Sequence, residues 1–196
     1  MNRTKINKKV IGISGLARSG KDSLCQLMTE LIPNSKRFAL ADILKENINP
    51  FLINQFDIDI FTCSPSEKEL VRPLLVSYGK VLRTKTRGKF FTDFLEKKIS
   101  EDDCDVAIIT DVRYDEFDED EIWWVKNRMN GVMIHLSRDG ILPPNDDEER
   151  NDPILKLKSD ISIKWETSDN QQYLKKIANF AADFCLKKIA EKKSVV

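Results

Sequence analysis

A single histidine, His135, stands in the 196-residue chain, and glycine (7), proline (7) and cysteine (4) are all sparse. One histidine excludes the HExxH metalloproteases and histidine-rich metal sites. A Ser-His-Asp triad stays only formally open. His135 sits in the apolar run Val132-Met133-Ile134-His135-Leu136 and reads as a strand residue with a local hydrogen bond. Cys25, Cys63, Cys104 and Cys185 are far apart and form no CxxC pair, which argues against zinc ribbons and thioredoxin chemistry. Four free thiols suit a reducing compartment, so a cytoplasmic location is expected. No stretch approaches the ~20 apolar residues of a bilayer span. After Met1-Asn2-Arg3-Thr4-Lys5, the apolar run Val10 to Ile13 is too brief for a secretory leader. Charge of one sign is also lacking: 32 Lys and Arg balance 32 Asp and Glu. Bulk charge therefore points to neither a nucleic-acid nor a membrane partner.

What is present is an ordinary globular composition, 41% hydrophobic and 33% charged. A chain of this length buries roughly 70% of its unfolded surface and folds without staples. One domain over residues 1–196 is expected, with no repeat, low-complexity tract or linker. A monomer and a homodimer are both compatible with it. The pattern alternates short buried strands (Lys9 to Ser14, Arg37 to Leu40, Asp105 to Thr110, Gly131 to Leu136, Ser159 to Lys164) with helical spacing. Helices are predicted over Lys21 to Leu31, Ala41 to Ile48 (stopped by Pro50), Glu67 to Arg83, Phe91 to Ile99, Glu121 to Met129 and Tyr173 to Ala190. Such alternation argues for an α/β fold with a mostly parallel sheet and helices on both faces.

Charge is unevenly placed. Leu70 to Thr92 carries no acid but has Arg72, Lys80, Arg83, Lys85, Arg87 and Lys89. It reads equally as a cleft wall for a phosphate-bearing ligand and as a solvated basic face. Glu101 to Glu121 has eleven acids against Arg113, and Asp115 to Asp120 reads as an exposed acidic loop.

The strongest signal is Gly15-Leu16-Ala17-Arg18-Ser19-Gly20-Lys21-Asp22-Ser23. It matches GxxxxGK between a strand and a helix, the context the motif requires. The glycines let backbone N–H groups wrap a phosphate, the helix N-terminus adds partial positive charge, and Lys21 reaches the outer phosphates as a point charge. Asp22 stands where Ser or Thr normally ligates Mg²⁺, and Ser23 follows one place later. Asp22 suits either a metal or a helix cap. Asp111, after Val106 to Thr110, is the acid expected at a strand's carboxyl end to orient Mg²⁺ or its water. Arg113 is placed to bind an acceptor phosphate.

Motor and switch ATPases activate water, whereas a kinase must exclude it, and that takes arginines on a closing segment. Arg138 and Arg150 flank an irregular, charged stretch too long for a plain connector, so a lid is expected over residues 138–158. The absence of an NKxD tetrapeptide weighs against a GTPase.

These elements together resemble the phage-type deoxynucleoside monophosphate kinases of the P-loop nucleoside monophosphate kinase group. The resemblance is carried by SGKDS after a strand, Ala39-Leu40-Ala41-Asp42-Ile43-Leu44-Lys45-Glu46, Thr110-Asp111-Val112-Arg113, and Val132 to Arg138, in order over about residues 8–190. It implies a three-layer P-loop NTPase fold with a lid. It also implies an enzyme, a phosphotransferase that moves the γ-phosphoryl of ATP, with Mg²⁺, to the 5′-phosphate of a small-molecule (deoxy)nucleoside monophosphate. Gly15, Ser19, Gly20, Lys21, Asp22 and Ser23 would hold ATP phosphates, with Asp22, Ser23 and Asp111 toward the metal. Lys21, Arg18, Asp111 and Arg138 would act in catalysis. Leu44, Lys45, Arg72, Arg113 and Glu121 would bind the acceptor within a helical segment at about residues 41–100 and the turn after mid-chain. Glu149 and Asp160 resemble later acidic positions of the family. Ala17 stands where a relative can carry lysine, and Val76 and Ser77 replace a Gln-Ala pair. Two other readings stand beside this one: a P-loop kinase for another metabolite, such as a coenzyme precursor, and a nucleotide-binding regulator without turnover.

Overall fold

The computed structural model describes residues 8–166, 168 and 170–194. The stretch Met1 to Lys5, read above for a leader, lies outside them. Five strands, β1 (Lys9–Ser14), β2 (Ser35–Phe38), β3 (Val106–Val112), β4 (Val132–Ser137) and β5 (Ile161–Lys164), form one sheet in the order β2-β3-β1-β4-β5. Every pairing is parallel. All carboxyl ends therefore lie along one edge, and β1 sits between β3 and β4, where ligands of such sheets bind.

Period-2 alternation sends successive strand residues to opposite faces. Ile11, Ile108 and Ile134 pack with α1 (Lys21–Leu31) and α7 (Gln171–Ser194) through Leu24, Met28, Ala178 and Ala181. Val10, Ala107, Ile109 and Met133 face the other way, against Ile43 of α2 (Leu40–Phe56) and Leu95 and Ile99 of α4 (Lys89–Glu101). Ile122 of the single turn α5 (Glu121–Trp123), which runs into a π-turn at Trp124–Arg128, joins them. Two helical layers thus cover the sheet, the three-layer α/β architecture of P-loop NTPases. A smaller cluster of Ile48, Leu52, Ile58, Ile60 and Val71 joins α2 to α3 (Pro65–Thr86). Among the described residues no helix is long and apolar enough to cross a membrane.

Three expectations change. First, α2 does not stop at Pro50 but runs to Phe56, ending at Asp57 in the left-handed region. Burial of Ile48 and Leu52 on either side of Pro50 offsets the one backbone bond that proline removes. Second, most of the stretch expected as an irregular lid is a helix, α6 (Asp146–Lys158). Asn145 caps it by accepting the Glu148 N–H, four acids fill its first turn, and Lys156 and Lys158 lie in its last. Third, Asp115 to Asp120 is not a freely exposed acidic loop. Asp120 is fully buried, and the segment meets the basic end of α3 and α4: Arg83 with Glu116 and Asp120, Arg87 with Asp118, Lys89 with Glu119. The acidic and basic runs largely neutralise each other, so that part of the basic run is no open cleft wall.

Candidate active site

The loop between β1 and α1 has the backbone an anion cradle needs. Gly15, Arg18 and Gly20 all have positive φ (129°, 68° and 102°). A Cβ on Gly15 would lie 2.0 Å from the Leu136 carbonyl oxygen, and one on Gly20 would lie 2.5 Å from the Trp165 ring. The Lys21 ammonium, almost wholly buried, donates to the carbonyls of Gly15 and Leu16 at 2.6 Å each. Burial, reinforced by the nearby Arg113 charge, lowers its pKa to about 8. Ser19 is 1% exposed, and its hydroxyl oxygen has no hydrogen-bond partner among the described residues. An orphaned buried hydroxyl in such a loop is a donor awaiting an acceptor.

An acid occupies part of the cradle. Glu148, from the first turn of α6, accepts the Ala17 N–H at 2.8 Å through Oε2. Its Oε1 accepts from Arg113 Nη1 at 3.2 Å. Gly15, Leu16, Arg113, Glu148, Asp152 and Leu155 line a small, partly open cavity there. Sequence spacing did not single out Glu148. Its signal was the cap at Asn145, which sets the helical register that turns position 148 inward.

Asp22, Asp111, Arg113 and Glu148 all lie within electrostatic reach of Lys21. Asp111 lies inside β3 rather than beyond it, and both its oxygens are engaged: Oδ1 accepts Leu40 N–H and Oδ2 accepts Ala41 N–H, each at 2.7 Å. It caps α2 from a neighbouring strand, a service that Ala39, at the N-cap, cannot perform. Asp22 is 83% exposed on its side chain, with Arg37 Nε at 3.6 Å, and Ser23 is exposed beside it. Arg18 is exposed at the loop's crest and Arg138 is half-buried at the end of β4.

The expected acceptor residues are spread over three elements. Leu44 packs against Gly79 of α3, and Lys45 pairs with Asp42 at 3.0 Å. Arg72 forks onto Glu69 on the exposed face of α3. No ion pair or hydrogen bond among the described residues joins Arg72 to Arg113 or to the phosphate loop. Glu121 is 3% exposed, and its carboxylate accepts the N–H groups of Arg113 and Tyr114. Burial pushes its pKa up to about 8 against the pull of Arg83. Of the later acids, Glu149 is exposed, whereas Asp160 accepts the Met133 N–H and pairs with Lys188.

His135 is buried beneath the loop, with Nδ1 3.3 Å from Ser14 Oγ and Nε2 3.7 Å from Asp152. Burial and the charges of Lys156 and Lys21 lower its pKa to about 4, so it is neutral at physiological pH. The local hydrogen bond expected from sequence is present. Among the described residues, no cluster of three or more His, Cys, Asp or Glu is arranged to hold a metal. Asp22, next after Lys21, is an exposed carboxylate.

By sequence, the chain matches no protein-family model and no curated protein. By structure it is similar to a protein of Thermus thermophilus (14% identity, TM-score 0.52, 90% of this chain and 98% of that one). It is similar to the dephospho-CoA kinase of Campylobacter jejuni (12%, 0.52, 90% and 96%). It is also similar to the shikimate kinase of Acinetobacter baumannii, solved with shikimate (12%, 0.50, 93% and 95%). At these identities the likeness is one of fold, and the fold of this chain is the α/β P-loop NTPase fold.

Proposed function

We propose that this protein is an ATP-dependent phosphotransferase whose acceptor is the 5′-phosphate of a (deoxy)nucleoside monophosphate. The observation that carries the kinase reading is the loop itself: a buried lysine, an orphaned Ser19 hydroxyl and positive-φ glycines at the carboxyl ends of parallel strands, with Arg113 facing them. Lys21 gives up its carbonyl contacts to hold the outer phosphates of the donor. Ser19 and the loop N–H groups orient the phosphate chain, and Arg18 and Arg138 neutralise charge that develops during transfer. Asp22 and Ser23 would hold Mg²⁺, which would supply charge neutralisation on the donor phosphates. Asp111 fixes the start of α2, which carries Leu44 and Lys45, and Arg113 takes the acceptor phosphate. Arg72 meets the acceptor only if α3 closes toward the loop.

The monophosphate acceptor rests on the resemblance in residues 39–46, 110–113 and 132–138. A coenzyme-precursor acceptor is the alternative; the fold is shared with a dephospho-CoA kinase and a shikimate kinase alike and favours neither acceptor. An ATP-consumption assay with the four deoxynucleoside and four ribonucleoside monophosphates, and with dephospho-CoA in parallel, separates the two. Turnover with at least one monophosphate is expected. ATP binding with no product from any acceptor would support a non-catalytic nucleotide-binding role instead.

A further inference from the structure

An arginine buried to 7% exposure in the last turn of α3 is unusual enough to need a purpose. The Arg83 guanidinium reaches three carboxylates: Glu121 through Nη1 at 2.9 Å, Asp120 through Nη2, and Glu116 through Nε at 3.4 Å. It also lies over the Tyr114 ring, 3.8 Å from its centroid. Glu121 passes this anchorage on. Its Oε1 takes the Arg83 bond, and its Oε2 accepts the N–H groups of Arg113 at 2.7 Å and Tyr114 at 3.0 Å. One carboxylate thus pins two successive peptide planes just past β3 and ties them to α3. The Arg113 side chain, 39% exposed, leaves from those planes and pairs with Glu148. The backbone that Glu121 holds thus fixes where the side chain starts, and Glu148 meets its guanidinium.

We propose that Arg83 and Glu121 are positioning residues for Arg113: α3, through the Glu121 carboxylate, sets the direction from which the Arg113 guanidinium meets the acceptor phosphate. This deepens the kinase reading above and rests on it for the identity of the acceptor. Glu121 itself then touches no substrate, and its effect passes through Arg113.

A mutant cycle on the full chain tests this. Glu121→Gln leaves Asp120 and Glu116 to balance Arg83, so the fold is expected to survive. With the monophosphate that the wild type turns over, Glu121→Gln should raise acceptor KM about tenfold and leave ATP KM within about twofold. In an Arg113→Ala background the same substitution should change acceptor KM by less than about twofold, because the pair acts as one unit. An undiminished effect in that background, or a parallel rise in ATP KM, overturns the proposal. A second readout needs no turnover. The Arg113 Nε–Hε NMR correlation, identified by its loss in Arg113→Ala, should shift in Glu121→Gln and in Arg83→Lys, whose ammonium cannot span three carboxylates. No shift in either variant overturns the positioning role. Failure of the wild type to phosphorylate any monophosphate sinks the acceptor reading, and the NMR result still decides the positioning.

Discussion

The Glu148 carboxylate accepts the Ala17 N–H at 2.8 Å, so a side-chain anion already rests on a donor of the phosphate loop. Arg113 holds it there from the other side. A donor phosphate that needs this N–H must displace the carboxylate, and part of its binding energy goes into doing so. Glu148→Gln keeps the shape and removes the charge. ATP should then bind about three- to tenfold more tightly, in line with the ~1 kcal/mol by which a charged acceptor exceeds a neutral one. Titration calorimetry of wild type and variant measures this directly. Weaker binding by the variant would mean that Glu148 helps nucleotide rather than competing with it.

Lys21 gives the site a pH dependence of definite sign. Its ammonium has a pKa of about 8 in the free protein because it is buried. Bound phosphates favour the charged form and draw the pKa back toward 10.5. Between these values the free site is partly neutral, so binding takes up a proton. ATP affinity should be flat below about pH 7 and fall above pH 8, approaching tenfold per pH unit. Calorimetry in two buffers of different ionisation enthalpy at pH 8.5 should report net proton uptake. Proton release, or affinity that rises with pH, would contradict the assignment.

Much of this arrangement is written locally. The run Val10 to Ile13, the glycine loop and the apolar spacing of α1 form one continuous signal, and β3 and β4 announce themselves through the apolar runs Val106 to Ile109 and Val132 to Ile134. What escaped the sequence is non-local. Arg83 and Glu121 are 38 residues apart, so a basic run and an acidic run look like two surfaces when they are two halves of one ion-pair cluster. Helix α6 was hidden differently: Leu155 is its only buried apolar residue, so periodicity had nothing to detect. Its cap at Asn145 and its acid-to-base charge gradient stand in the sequence, but a reading by periodicity does not use them. Pro50 misled because a helix stop is a local rule, and burial of Ile48 and Leu52 overrides it.

The loop glycines should differ in their tolerance. A methyl at Gly15 meets the carbonyl of Leu136, a backbone atom of the neighbouring strand that has nowhere to go. A methyl at Gly20 meets the ring of Trp165, a buried side chain rather than a backbone atom. Left-handed backbone costs an alanine roughly 1–2 kcal/mol before any clash. Gly20→Ala should lose about 1–3 kcal/mol in urea denaturation with weakened ATP binding. Gly15→Ala should lose more stability and all measurable ATP binding. Equal losses at the two positions would show that φ, not contact, sets the cost.

Asp111 makes the sharpest separation between chemistry and architecture. As a metal-orienting acid it would use its remaining lone pairs, while each of its two oxygens already accepts a backbone N–H of α2 at 2.7 Å. Those N–H groups have no other cap, since Ala39 has no side-chain acceptor. Removing the carboxylate leaves two buried donors at a helix N-terminus without their charge partner. Asp111→Ala should therefore destabilise the fold by about 2–4 kcal/mol, two charge-assisted bonds partly replaced by water. Asp111→Asn, which keeps one acceptor oxygen, should recover about half. Turnover should fall in proportion to the loosening of α2, with acceptor KM rising before the Mg²⁺ requirement changes, because Leu44 and Lys45 ride on that helix. Urea denaturation of both variants, alongside KM for acceptor and for Mg²⁺, decides it. An unchanged denaturation midpoint with a large rise in the Mg²⁺ requirement would return Asp111 to the metal.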